Sequence, residues 1–232
     1  MAAQPRQLVF ELPHRSALGA EDFLVSPANS AAVGVIDRWP DWPYWGALVV
    51  GPVECGKSHL ANVWRFKSGA AITSAAKLNY QSINLLQGKG AMVVEDLDRG
   101  INDERVLFHL LNLGRQDKSC ILLTSRIAPG ALQVALPDLR SRLRALPVSF
   151  IEPPDENLLQ ALLVKLFEDR QLKVEPAVIG YLSLRMERSM EEANAVVEAI
   201  DRLALETHRR VTRALAHKAL CRLGMAEDKK SS

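Results

Sequence analysis

The sequence predicts an α/β fold, a largely parallel sheet flanked by helices, followed by a small all-helical domain. Three features carry that expectation. Five short apolar runs, at residues 47–50, 70–73, 91–94, 120–124 and 148–151, are bounded by turn residues and separated by helix-length segments. Strands buried on both faces and alternating with helices have this pattern. A glycine-rich stretch, Gly51-Pro52-Val53-Glu54-Cys55-Gly56-Lys57-Ser58, follows the first run directly. After Glu152-Pro153-Pro154 the chain changes character and no convincing strand remains.

In chain order, residues 1–20 carry Pro5 and Pro13 and no sustained period, which reads as an extended arm. Residues 21–152 hold the five runs and form the α/β domain. Residues 153–224 form the helical domain. In it Leu158, Leu159, Leu162, Leu163, Leu166 and Phe167 recur at three-and-four spacing, the mark of an amphipathic helix. A second helix is expected over residues 190–205, with Ala193, Val196, Val197, Ile200, Leu203 and Ala204 on one face and a capping box at Ser189 and Glu192. A third is expected over 211–223, and residues 225–232 read as a flexible tail.

Composition bounds the function. With 232 residues, 48% apolar and 24% charged, the chain is ordinary in its capacity to bury a core, which excludes disorder. Its 29 basic and 27 acidic residues leave a net charge of +2, so any binding to nucleic acid or membrane has to be local. Cys55, Cys120 and Cys221 lie far apart without CxxC spacing, which argues against a disulfide framework or zinc site and fits a reducing cytoplasm. Only Leu8, Val9 and Phe10 stand together before Glu11, too short for a signal-peptide core, and no run reaches the ~18 residues of a membrane span.

The stretch from Gly51 to Ser58 satisfies G-x-x-x-x-G-K-[ST] between a strand and a helix, the context in which the pattern holds phosphate. Backbone N–H groups around Gly51, Cys55 and Gly56 and the positive end of the following helix would face the phosphates. Lys57 would reach the β and γ phosphates and Ser58 would ligate Mg²⁺, with His59 packed beside the loop. Such a site needs a carboxylate at the end of a neighbouring strand to hold the metal and polarise water. Glu95 is the first candidate and Asp96 the second, with Asp98 as a nearby competitor. The run ending Thr124-Ser125 would bring hydroxyls to the same edge.

These pieces, in this order and followed by a helical lid, resemble the AAA+ ATPases, and within them the DnaA-related proteins of the Hda type. Asp22-Phe23-Leu24-Val25-Ser26-Pro27-Ala28-Asn29 resembles the family's adenine-receiving segment, which implies base contacts from Phe23, Leu24, Val25 and Asn29. Leu139-Arg140-Ser141-Arg142-Leu143 resembles the box carrying its arginine finger, and Glu187-Arg188-Ser189-Met190-Glu191 its sensor 2. Gln7-Leu8-Val9-Phe10 resembles the arm that docks in the sliding clamp, with Gln7, Leu8 and Phe10 as the contacts.

The resemblance implies an AAA+ P-loop NTPase fold binding ADP or ATP with Mg²⁺. It further implies a regulator of replication initiation that, tethered to the clamp, stimulates hydrolysis of DnaA-bound ATP, with Arg142 acting in trans and Arg188 on nucleotide. Catalytic roles fall on Arg142, Glu95, Asp96 and Ser125. Partners would be DnaA and the clamp, with DNA reached through the clamp and no membrane; a homodimer stays an open alternative. Glu54 stands where most AAA+ loops carry glycine and Glu95 replaces the commoner Asp, so weak intrinsic turnover is expected. The rival reading is an autonomous ATPase that loads or remodels a DNA-bound partner. A sequence-specific DNA-binding protein is disfavoured, because no helix-turn-helix is present. The aromatic segment Trp39, Trp42, Tyr44 and Trp45 reads as core cover against a partner surface. The basic residues Arg202, Arg209, Arg210, Arg213, Lys218 and Arg222 read as a solvated face against a DNA contact.

Overall fold

The computed structural model describes residues 14–15, 23–207 and 209–226, and Gln7, Leu8 and Phe10 lie outside them. The chain divides into two compact units, one over Arg15–Glu152 and one containing the described residues from Pro153 onward. No helix among the described residues is long and apolar enough to cross a membrane.

Ahead of the main sheet, β1 (His14–Arg15) and β2 (Phe23–Leu24) form a two-stranded sheet. The main sheet contains β3 (Gly46–Val50), β4 (Ala71–Ser74), β5 (Ala91–Glu95), β6 (Cys120–Ser125) and β7 (Val148–Phe150), in the order β4-β5-β6-β3-β7. Every neighbouring pair is parallel. Each of the five apolar runs is one of these strands, as a parallel sheet covered on both faces requires.

Successive side chains alternate between two cores. Leu48, Val50, Met92, Val94, Ile121 and Leu123 face a cluster completed by Leu86, Leu107, Leu110, Leu111, Leu139 and Leu143. Those residues come from α3 (Tyr80–Lys89), α4 (Glu104–Asp117) and α5 (Pro137–Arg144). Ala47, Val49, Ala91, Val93 and Leu122 face the other cluster, with Ala32 and Ile36 of α1 (Ser30–Arg38) and Leu60, Ala61 and Trp64 of α2 (Lys57–Ser68). Of the aromatic segment, Trp39 and Trp42 complete this second face, Trp45 packs against the first cluster and Tyr44 is exposed. Trp42 stacks on Trp64 with ring centroids 5.1 Å apart and donates its indole N–H to the Val35 carbonyl at 2.7 Å, and Trp39 meets Trp64 edge-on.

The second unit consists of α6 (Glu156–Asp169), α7 (Pro176–Ser183), α8 (Met190–Thr207) and α9 (Arg213–Arg222). Their core joins Leu159, Leu163, Phe167, Ile179, Leu182, Val196, Val197, Ile200, Leu203, Ala216 and Leu220. Side chains terminate three of the helices at their N-terminal ends, where the first N–H groups have no carbonyl within the helix. Asp155 accepts from the Leu158 N–H at 2.7 Å, Ser189 from Glu192 at 3.0 Å and Thr212 from Leu215 at 3.3 Å. Helix α7 has no counterpart in the sequence reading. Met225 and Ala226, the first residues of the segment read as a tail, pack against the helical core.

Candidate nucleotide site

The parallel sheet brings the C-terminal ends of β3, β5 and β6 to one edge, where ligands of open α/β sheets bind. Val50 pairs with Ser125 and Val94 with Leu123, so the glycine-rich loop, Glu95 and Thr124-Ser125 leave the sheet together. The Gly51 N–H donates to the Ser125 carbonyl at 3.1 Å and continues the ladder by one bond. A Cβ at Gly51 would lie 2.6 Å from the Cys55 sulfur and 3.0 Å from Ile151, so only glycine lets the loop turn back this tightly.

Within the loop, Glu54 and Gly56 both have positive φ, 57° and 96°. Lys57 opens α2, and its side chain folds back into the loop. The ammonium donates to the carbonyls of Gly51 at 2.9 Å and Pro52 at 2.6 Å and lies 3.7 Å from the Cys55 sulfur. Burial pushes the Cys55 thiol above its ordinary value, and the Lys57 charge and hydrogen bonds offset this only in part. Cys55 is thus a neutral, buried thiol that supports the loop by packing. Ser58 is exposed and His59 half-buried. The first turn of α2 holds no acidic side chain, which leaves its positive end open to an anion.

Glu95 ends β5, and its Oε1 is buried with no hydrogen-bond partner among the described residues. A buried carboxylate oxygen in that state fits a hydrated cation. Among the described residues no three His, Cys, Asp or Glu side chains come together as metal ligands, so an ion here would take its remaining ligands from phosphate and water. Asp96 is left-handed, with φ 59°, and its N–H donates to Thr124 Oγ1 at 3.1 Å, while its carboxylate lies 3.6 Å from Arg99.

Asp98 is committed elsewhere. Its carboxylate, 3% exposed, accepts from the Arg126 N–H at 2.7 Å and from the Arg126 guanidinium. Burial alone would raise its pKa, but the hydrogen bonds and charge of Arg126 outweigh that and hold the carboxyl below its ordinary value. The Ser125 hydroxyl donates to the Ile127 carbonyl at 2.8 Å, with Asp98 Oδ1 at 3.4 Å, and accepts from the Ile127 N–H at 3.1 Å. Ser125 therefore spends its hydroxyl on shaping the turn after β6. Nothing in the sequence pattern marked this cluster, since its partners are 27 and 28 residues apart.

Of the segment resembling an adenine site, Phe23 and Leu24 form β2 and Val25 packs against the sheet core. The Asn29 amide bonds its own turn, accepting from the Ser26 N–H at 2.9 Å and donating to the Leu24 carbonyl at 2.8 Å. These bonds hold the backbone of 24–29 in a fixed loop before α1.

Arg142 lies on α5, whose geometry is set from α4. The Glu104 carboxylate accepts from the Ala135 N–H at 2.8 Å and the Leu136 N–H at 2.7 Å just before the helix, and Leu139 and Leu143 bury its inner face. Arg140 donates to the Val134 carbonyl. The Arg142 guanidinium forms no hydrogen bond or ion pair among the described residues. Arg188 precedes α8 in the helical unit, 60% exposed, with its guanidinium 3.8 Å from Glu156.

No protein-family model matches the chain. At the sequence level it is 25% identical, in a 226-residue alignment that covers 86% of this chain, to the chromosomal replication initiator protein DnaA of Thermomicrobium roseum, of which the match covers 48%. The chain spans about half the length of the curated relatives it matches. Its fold superposes on domain III of Thermotoga maritima DnaA with a TM-score of 0.71 at 20% identity, covering 86% of this chain and 94% of that one. Against AMPPCP-bound DnaA from Aquifex aeolicus the TM-score is 0.65 at 21% identity, over 79% and 65% of the two chains. The parallel sheet, the loop before α2 and these superpositions establish an AAA+ P-loop NTPase fold, and in sequence and fold alike the chain is similar to the AAA+ domain of the DnaA initiators.

Proposed function

We propose that this chain is a nucleotide-binding, DnaA-related regulator of replication initiation of the Hda type, which stimulates hydrolysis of ATP held by DnaA. The observation that carries this reading is Arg142. It stands on a helix held at its start by Glu104 and along its inner face by Leu139 and Leu143, yet its guanidinium has no partner among the described residues. A guanidinium kept in place and left uncommitted suits delivery to a phosphoryl group on another molecule, where an arginine finger contributes roughly 10³ to 10⁵ in rate. In this reading Gln7, Leu8 and Phe10 tether the protein to the sliding clamp, which raises its effective concentration beside DnaA.

The protein's own loop binds ADP or ATP. Lys57 would exchange its two carbonyl partners for phosphate oxygens, the N-terminus of α2 would hold the same group, and Ser58 and Glu95 would hold a hydrated Mg²⁺. The cation lends electrostatic stabilisation to the phosphates when bound. Asp96 and the backbone of 24–29 complete the pocket, and Arg188 adds a charge on the nucleotide. Two departures favour holding nucleotide over turning it over. Glu54 adds a carboxylate to the loop, and Glu95 is one methylene longer than Asp, which changes where the hydrated ion sits.

The deciding experiment measures ATP hydrolysis by DnaA on DNA-loaded clamp with this protein, its Arg142→Ala variant and its Gln7→Ala variant. The expected result is stimulation by the unchanged protein that each substitution removes. Substantial turnover by this protein alone, with no effect on DnaA, would instead establish the autonomous ATPase.

A further inference from the structure

We propose that the α7–α9 face of the helical unit is a binding surface for the phosphate backbone of nucleic acid, independent of the nucleotide site. Over residues 209–226 the chain carries five cations, Arg209, Arg210, Arg213, Lys218 and Arg222, and no carboxylate. The whole chain has a net charge of only +2, so this is a local segregation of charge.

The side-chain partners sort these cations into two groups. Arg222 is paired with Glu206 at 3.2 Å, and on the neighbouring helix Arg202 is paired with Glu198 at 2.9 Å. Those two belong to a solvated, charge-balanced surface. Arg209, Arg210 and Arg213 form no ion pair among the described residues, and neither does Arg185 beside α7. Instead, Arg185 and Arg213 lie against one ring. Their guanidinium carbons are 4.1 and 4.6 Å from the centroid of Tyr181. The ring is held in turn from α9, since its hydroxyl meets His217 Nδ1 at 3.0 Å.

Two guanidinium groups on one aromatic ring repel each other and are held there by cation–π attraction and packing. The arrangement orders both planar forks while leaving their charge unneutralised by protein carboxylates. Ordered guanidinium forks match the oxygens of a phosphate better than ammonium groups do. Arg213 opens α9, whose first turn contains no acidic residue, and Arg209 and Arg210 lie in the connection just before it. Val211, Leu215 and Leu220 of the same segment are buried in the helical core, while Leu223 and, beside Arg185, Leu184 stay exposed among the arginines. Ordered guanidinium forks left without carboxylate partners fit a phosphodiester backbone, which needs charge and forks.

The test is fluorescence anisotropy of a labelled 20-base-pair duplex with the full chain, without nucleotide, clamp or DnaA, at 50 to 200 mM salt, with folding of every variant checked by circular dichroism and Tm. The double variant Arg209→Gln, Arg213→Gln should weaken binding by at least about tenfold and lower the log–log salt slope by about two, one for each phosphate no longer neutralised. Tyr181→Leu, which keeps every charge, should weaken binding several-fold without changing that slope. Lys77→Gln with Arg115→Gln on the other unit removes the same charge and should change little. Lys57→Ala should bind the duplex normally, so failure of the nucleotide reading leaves this result untouched. Absence of binding by the unchanged protein, an equal weakening in the Lys77 and Arg115 control, or capture of an acidic peptide but not of the duplex would overturn the assignment.

Discussion

Glu54 sits in the phosphate loop with φ at 57°, a conformation that costs a residue with a Cβ about 1–2 kcal/mol and glycine almost nothing. The strained residue is therefore also the one that adds negative charge to a loop built for anions. Glu54→Gly relieves the strain and removes the charge, while glycine's greater freedom in the unfolded chain takes back part of the gain. Glycine also gives up the interaction that the Glu54 side chain makes, so the net stability change should lie within about 1 kcal/mol of zero. The larger expected effect is on binding, with ATP held several-fold more tightly in calorimetric titration, because the triphosphate carries the most charge past this position. Unchanged ATP affinity would mean that the Glu54 carboxylate has no electrostatic influence on the phosphates. The sequence marked Glu54 as a departure from glycine, but the positive φ that gives the departure its cost is visible only in the backbone.

At the scale of elements, the five strands were legible because both faces of a parallel sheet are buried. Residues such as Leu48, Val49 and Val50 then stand as an unbroken apolar run although they face two different cores. Helix α7 was missed because it is only eight residues long, begins at Pro176 and contains Gly180, so Val178, Ile179 and Leu182 make too short a pattern to stand out. Long-range polar pairing was equally hidden. Asp98 was read as a competitor for the metal, whereas its partner Arg126 joins the turn after β5 to the end of β6. Because the folded state holds the Asp98 carboxyl below its ordinary value of 3.8, that state binds fewer protons there than the unfolded chain. The stabilisation is therefore fully present above this ordinary value and is lost as pH falls through the lower, folded value. Asp98→Asn should lower the urea midpoint at near-neutral pH, and the gap to the unchanged protein should close as the pH is taken below 3.8. A gap that stays constant with pH would show that the carboxylate charge contributes nothing to the link.

Across the whole molecule, the candidate residues are divided between two compact units. The loop, Glu95 and Arg142 belong to the α/β unit, and Arg188 to the helical one. The Arg15–Glu152 unit ends immediately before Pro153-Pro154, where the apolar period of the sequence changes. A role for Arg188 on the nucleotide could come only from family resemblance, because an arginine before a helix start has the same local sequence whether it meets phosphate or Glu156. Hydrogen exchange followed by mass spectrometry separates those two outcomes. Bound ADP stabilises whatever it touches by RT ln(1 + [L]/Kd), about 2.7 kcal/mol at a hundredfold excess over Kd. Amides of residues 51–60 should therefore slow on adding ADP. If Arg188 shares the ligand, amides at the start of α8 should slow as well, and Arg188→Ala should abolish that second effect while weakening ADP binding about tenfold, the 1.4 kcal/mol expected of one charged hydrogen bond. Protection confined to residues 51–60, identical in both proteins, would assign Arg188 to its pair with Glu156 and leave the nucleotide to the α/β unit alone.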